Sequence, residues 1–201
     1  MLVTDRRQRD KARTIQDILN AARRLFSEKG LHGTSLRDLE KASGVSKGLI
    51  LHHFESKENL YNAVQDLLIQ EYTAQMAARR DVSKDLLEMI TNAVRESLSY
   101  NMQNTEFRRI ALWSYLEGLE RSTELEKRFT TSLIDGMRKG QESGLVRDDI
   151  NAFLMPFIIR GTIDYWIRKG SLRAQMSAQA GNHDGASEDD LVDALVKLML
   201  K

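Results

Sequence analysis

Residues 34–57 read TSLRDLEKASGVSKGLILHHFESK, and this stretch decides how the rest of the chain is organised. Leu36, Leu39 and Ala42 recur at helical spacing until Ser43-Gly44 breaks the run. A short helix therefore begins at Thr34 or Ser35, with Asp38 placed to complete a capping arrangement. Ser46 caps a second short helix that runs to about His53. Two short helices joined by a tight glycine-containing turn form a helix-turn-helix. Gly44 supplies the turn, and Leu39, Val45, Ile50 and Phe54 hold the second helix against the first. Held that way, Ser46, Lys47, Gly48, Leu49, Leu51 and His52 project outward. A helix of this kind fits the major groove of B-DNA, where base edges present a distinguishing pattern of donors and acceptors.

The flanking sequence supports the same plan. From Thr14, the residues Ile15, Ile18, Leu19, Ala22, Leu25 and Phe26 form one stripe of a helix that Gly30 and Gly33 end. Ser56 caps a longer helix bearing Leu60, Val64, Leu67, Leu68, Tyr72 and Met76. Further helices are expected over about 83–102, 105–118, 123–143, 149–169 and 187–200, with capping boxes at Thr123/Glu126 and Ser187/Asp190. Pro156 should kink the fourth of these or mark a restart. Residues 171–186, SLRAQMSAQAGNHDGA, are small and polar and read as a mobile connector. No stretch alternates with period two, so the expected fold is all-α.

Composition excludes several classes. The chain has 201 residues, 41% of them hydrophobic, enough for a packed core. It has no cysteine, which removes disulfides, thiolate metal clusters and a cysteine nucleophile and suits a reducing cytosol. The longest apolar run, 153–159, is far short of the ~20 residues of a membrane span. MLVTDRRQRD carries charges where a signal peptide has its apolar stretch, so the expected location is cytoplasmic, with no membrane partner. The net charge of +1 hides an asymmetry: residues 1–60 hold 12 Lys and Arg against 8 Asp and Glu, whereas residues 61–201 hold 18 against 21. A basic end on an acidic body is compatible with DNA binding. The basic residues Arg6, Arg7, Arg9, Lys11 and Arg13 form either an arm on DNA or a solvated terminus.

No catalytic residue, metal site or cofactor is expected. There is no recognisable carboxylate pair, phosphate-binding glycine loop or Ser/His/Asp arrangement. His52 and His53 are adjacent, point about 100° apart on a helix and cannot share one metal.

Segment 14–61, with GLHGTSLRDLEKASGVSKGLILHHFESKENL at its centre, resembles the DNA-binding domain of the tetracycline-repressor (TetR) family. The resemblance implies a non-enzymatic transcriptional regulator: residues 1–57 as arm and helix-turn-helix domain, joined by a long helix to residues 58–201 as effector-binding and dimerisation domain. It implies a homodimer that represses from a palindromic double-stranded operator and is released by a small-molecule effector of unknown identity. The alternatives are a helix-turn-helix scaffold without an effector, or an all-α enzyme. Carried over position by position, Ser35 and Arg37 stand near phosphates or a base edge. Lys47, Gly48, Leu49, Leu51, His52 and His53 occupy the recognition helix, and Lys57 contacts phosphate. For His53, packing beside Phe54 competes with that role. Three positions depart from the family pattern. Leu51 stands where a phosphate-touching tyrosine is usual, Leu49 where a small hydroxyl residue is frequent, and Glu40 where a small residue precedes the turn glycine by four.

For the effector pocket the candidates are Trp113, Phe129 and Trp166, against a reading of such aromatics as plain core. Asp164 is expected to pair with Arg160 or Arg168. For the dimer contact, the last two helices hold more apolar residues than one face needs. Phe157, Gly161, Tyr165 and Leu195 are the candidates, Gly161 because a mid-helix glycine costs about 1 kcal/mol unless another backbone approaches.

Leu49 and Leu51 point to readout through thymine methyl groups. Leu51→Ala should weaken binding to the native operator more than to one with the contacted T changed to C. Equal losses in a binding titration would refute this.

Overall fold

The computed structural model describes residues 2–79, 85–179 and 186–201, with side chains from Gln8 onward. Among the described residues there are ten α-helices and no strand. They are α1 (Leu2–Lys29), α2 (Leu36–Ser43), α3 (Lys47–Phe54), α4 (Lys57–Ala78), α5 (Leu86–Gln103), α6 (Thr105–Leu116), α7 (Glu124–Glu142), α8 (Met155–Arg168), α9 (Gly170–Gln179) and α10 (Glu188–Met199). The all-α expectation holds. The chain forms two compact units, Met1–Glu71 with Asn104–Thr123 and Tyr72–Gln103 with Glu124–Lys201. This division falls inside α4 and gives α6 to the first unit. It is a division by packing, distinct from the division by role at residue 57.

In the first unit the expected stripe of α1 is the centre of the core. Ile18, Ala22, Leu25 and Phe26 are buried with Leu39 of α2, Ile50 of α3, Leu60, Tyr61 and Val64 of α4, and Phe107 and Ile110 of α6. Full burial of each large apolar side chain stabilises by about 1.5–3 kcal/mol. The Phe26 and Tyr61 rings meet edge to face at 4.9 Å. Burial pushes the Tyr61 phenol pKa up; its hydroxyl lies 3.0 Å from Ser114 Oγ and 3.3 Å from the Ile110 carbonyl.

α6 clasps the C-terminal end of α1, where helix carbonyls lack internal donors. Arg109 Nε donates to the Ser27 carbonyl at 2.6 Å and Nη2 to that of Glu28 at 3.2 Å; Trp113 Nε1 donates to Ser27 at 3.3 Å. The Glu117 carboxylate accepts the Leu31 and His32 N–H groups at 2.9 and 3.0 Å. Arg23 of α1 pairs with Glu71 of α4 at 2.8 Å and with Glu106 of α6 at 2.5 Å.

The second unit buries Ile90, Val94 and Leu98 of α5, Val146 between α7 and α8, Met155 and Ile163 of α8, and Leu191, Val192, Leu195, Val196 and Met199 of α10 in one cluster. The expected Ser187/Asp190 capping box opens α10. An isolated antiparallel bridge between Val146 and Leu200 pins the C-terminal residues, with Arg147 N donating to Met199 O at 2.9 Å.

Three expectations change. α1 starts at Leu2 rather than near Thr14; residues 2–13 have no apolar stripe, but Arg, Lys, Gln and Ala extend an existing helix at little cost. The helix expected from 149 begins at Met155, with Pro156 in its first turn. Proline lacks the N–H that this position leaves unused, so the restart alternative is the one observed. Residues 171–179 of the supposed connector lie in α9, which buries no residue and so leaves no periodic stripe in the sequence. The rest of that connector through Gly185, and the expected helix start at Ser83, lie outside the described residues. Asp85 instead caps α5, accepting the Glu88 N–H at 2.8 Å.

Two glycines of α7 make a paired test. A Cβ on Gly140 would strike the Val146 side chain, its Cβ at 3.1 Å, whereas one on Gly136 meets nothing within 4 Å. Gly140→Ala should destabilise by about 1–3 kcal/mol through overpacking, and Gly136→Ala should stabilise by up to about 1 kcal/mol through helix propensity. Denaturant melts of both variants check the contrast.

Candidate nucleic-acid interface

Local capping builds the helix-turn-helix. Ser35 is the N-cap of α2: its Oγ accepts the Asp38 N–H at 3.1 Å, and Asp38 Oδ2 accepts the Ser35 N–H at 3.0 Å. These bonds to Ser35 hold the Asp38 carboxyl below its ordinary pKa. Gly44 has φ +70°, the left-handed conformation a side chain would resist, and donates to the Glu40 carbonyl at 3.0 Å. Ser46 caps α3, its Oγ accepting the Leu49 N–H at 3.3 Å. Glu55, at φ +66°, ends α3 and turns the chain into α4. Such a non-glycine conformation costs about 1–2 kcal/mol.

Burial of Ile50 fixes the rotation of α3. Ser46, Lys47, Gly48, Leu49 and His52 are exposed as expected, as are Ser35 and Arg37, whereas Leu51, His53 and Lys57 are half-buried. An open groove of about 830 Å³ brings together Ser35, Arg37, Lys47, Leu51 and Lys57 from that set. Gly48, Leu49, His52 and His53 stand outside its lining. A Cβ on Gly48 would meet nothing within 4 Å, so this face is open.

The structure revises Lys57. Two of its three ammonium donors are spent on the Leu31 and Thr34 carbonyls, each at 2.7 Å, so it first braces α4 to the end of α1. Among residues outside the expected set, Glu40, Glu55 and Glu58 also line the groove. Glu40 reaches from α2 to accept the Lys47 N–H at 3.1 Å. Its departure from the family pattern was the one sequence signal for this.

Of the arm, Arg9, Lys11 and Arg13 are exposed on α1; the Arg6 and Arg7 side chains lie outside the described residues. The His52 and His53 rings lie 5.4 Å apart. Burial first, then the neighbouring His52 and Lys11 charges, holds the His53 imidazole below its ordinary pKa of 6.5.

The aromatic candidates are divided between the two units. Trp113 belongs to the first unit, where it packs on the end of α1. Phe129 and Trp166 belong to the second; Phe129 meets Tyr72 edge-on at 5.6 Å, and the Arg173 guanidinium stacks 3.4 Å from the Trp166 ring centroid. Asp164 pairs with Arg168 at 2.6 Å, one of the two expected partners. Phe157 and Tyr165 are 52% and 56% exposed, and a Cβ on exposed Gly161 meets nothing within 4 Å. Leu195 is corrected: it lies in the core of the second unit at 3% exposure, with no side-chain area left for a partner. Leu198, at 59%, is the exposed apolar residue of α10.

A three-helix domain with a capped, outward-facing second short helix defines a helix-turn-helix protein of the DNA-binding kind. The sequence model described as "Bacterial regulatory proteins, tetR family" matches residues 18–64. The helix-turn-helix segment thus carries the sequence pattern of this family. The chain is 34% identical over 128 residues to the HTH-type transcriptional repressor AcnR of Corynebacterium diphtheriae, a match covering 55% of this chain and 65% of that one. A match to AcnR of Corynebacterium glutamicum, 50% identical over 62 residues, covers 31% of each chain. The chain thus aligns with less than two thirds of the length of these relatives. A TetR family transcription regulator from Marinobacter aquaeolei VT8 shares the fold with TM-score 0.74 at 19% identity, covering 97% of this chain and 99% of that one. AibR, solved in complex with isovaleryl coenzyme A and operator DNA, superposes with TM-score 0.68 at 18% identity, covering 93% of this chain and 98% of that one.

The His53 shift has a pH consequence. The folded state disfavours a proton that the unfolded chain accepts near pH 6.5, so stability falls as pH drops through that value. His53→Gln should lose less thermal stability than the wild type between pH 7.5 and 5.5; equal losses in melting curves would sink the assignment.

Proposed function

We propose that this protein is a sequence-specific DNA-binding transcriptional repressor without catalytic activity. It acts in the cytoplasm as a homodimer on a two-fold operator and is released by a small-molecule effector. The observation that carries the reading is the exposure of Lys47, Gly48, Leu49 and His52 on a helix whose opposite side, at Ile50, is locked into the core. Those groups, with Ser35, Arg37, Ser46 and Leu51, meet base edges and flanking phosphates, and residues 1–57 form the DNA-binding part. The description of AcnR as a transcriptional repressor supports the reading, and the complex of AibR with isovaleryl coenzyme A and operator DNA supports a small-molecule effector.

The homodimer reading rests on α8. Leu154, Phe157, Ile158, Gly161 and Tyr165 form an exposed stripe at spacings of three, four and seven, along which a second copy packs about a two-fold axis. Gly161 lets the two backbones approach.

Selection from random duplexes should return a two-fold site with half-site centres about 10 base pairs, or a multiple, apart. Because the space at Gly161 is open within the subunit, Gly161→Leu should fold yet sediment as a monomer and bind the selected site more weakly. A stable dimer would refute the placement on α8, and an asymmetric or absent site would refute the operator reading. The scaffold reading is separated by melting against a metabolite panel, where an effector raises the transition temperature.

A further inference from the structure

The departure at Glu40 is not absorbed by the function above. Helix N-termini attract phosphate because their first N–H groups are unpaired and the helix dipole is positive there. In α3 two of those groups are taken: the Lys47 N–H goes to Glu40 Oε1 at 3.1 Å, and the Leu49 N–H goes to Ser46 Oγ at 3.3 Å. The carboxylate that takes the first comes from the preceding helix and stands exposed in the same groove as Arg37 and Lys47. Glu55 and Glu58 line that groove as well, and two of the three Lys57 donors are held by Leu31 and Thr34. Three carboxylates thus face three cations where a repressor's phosphate attraction would be greatest. The exposed basic residues Arg9, Lys11 and Arg13 lie outside the groove, on α1.

We infer that Glu40 is a specificity-determining residue, a fixed negative charge that repels DNA phosphate from the start of the recognition helix. Phosphate contacts raise affinity for every duplex alike, whereas base contacts separate one duplex from another. A carboxylate at the head of α3 lowers the first term and leaves discrimination to Lys47, Leu49 and His52. It also holds α3 in place through the Lys47 N–H, so the charge is structurally fixed. This inference rests on the DNA-binding reading proposed above.

The test compares the full-length wild type, Glu40→Gln and Glu40→Ala on two duplexes, one carrying the selected operator and one with its bases scrambled. Glu142→Gln on α7 controls for overall charge, and melting curves report folding. Gln keeps an acceptor for the Lys47 N–H and removes only the charge, so Glu40→Gln should melt like the wild type. It should bind the scrambled duplex about tenfold more tightly and the operator with a smaller gain, so that the ratio between them falls. Glu40→Ala, which also frees the N–H, should tighten scrambled-duplex binding at least as much and steepen its salt dependence. Scrambled-duplex affinity unchanged in both variants, or raised equally by Glu142→Gln, overturns the role of Glu40 and leaves the DNA-binding reading intact. Failure of the wild type to hold either duplex at low salt overturns the DNA-binding reading itself, and this inference with it.

Discussion

The end of α1 must find donors for its last carbonyls and acceptors for the N–H groups just beyond them, and both are supplied from outside the helix-turn-helix. Arg109 and Trp113 of α6 cover the Ser27 and Glu28 carbonyls, and Glu117 receives the Leu31 and His32 N–H groups. Lys57 completes the joint from the start of α4 through Leu31 and Thr34. The α2–α3 pair leads away from this joint. α2 begins immediately after it, and the direction in which α3 points follows from how α2 leaves it.

Within that frame the α2–α3 pair is built from short-range contacts. Ser35 with Asp38, Gly44 with Glu40 O and Ser46 with Leu49 are contacts over three or four residues, and each was legible in the sequence because capping and left-handed turns demand particular residue types. Exposure of Lys47, Leu49 and His52 followed once Ile50 was placed inward. Lys57 and Glu40 were less readable. A lysine and a glutamate at surface positions look alike whether they face solvent, a phosphate or a backbone group, and only the folded chain shows Lys57 bonded across 23 and 26 residues.

The second unit shows the opposite balance. Its helices were legible from amphipathic periodicity, yet the periodicity of α8 and α10 did not tell which apolar residues serve the subunit's own core. Leu195 and Leu198 are three residues apart on one helix; the first is enclosed with α5 and the second stands in solvent. Likewise Phe157 and Tyr165 read as core or interface equally well until Met155 and Ile163 were found to fill the inward face of α8. α9 buries nothing, and a helix without an apolar stripe has no signature in the sequence beyond propensity.

The sequence by itself determined the all-α class and the helix-turn-helix with its caps, because these depend on contacts within a few residues or on the 3.6-residue period. The tertiary structure decided which apolar face of each C-terminal helix is left over. It also placed Trp113 on the end of α1, and it closed the joint of Arg109, Glu117 and Lys57 from which α2 and α3 lead away. Those outcomes depend on which distant surfaces meet. Pairings across 80 or more residues, such as Leu31 with Glu117, leave no local period to read.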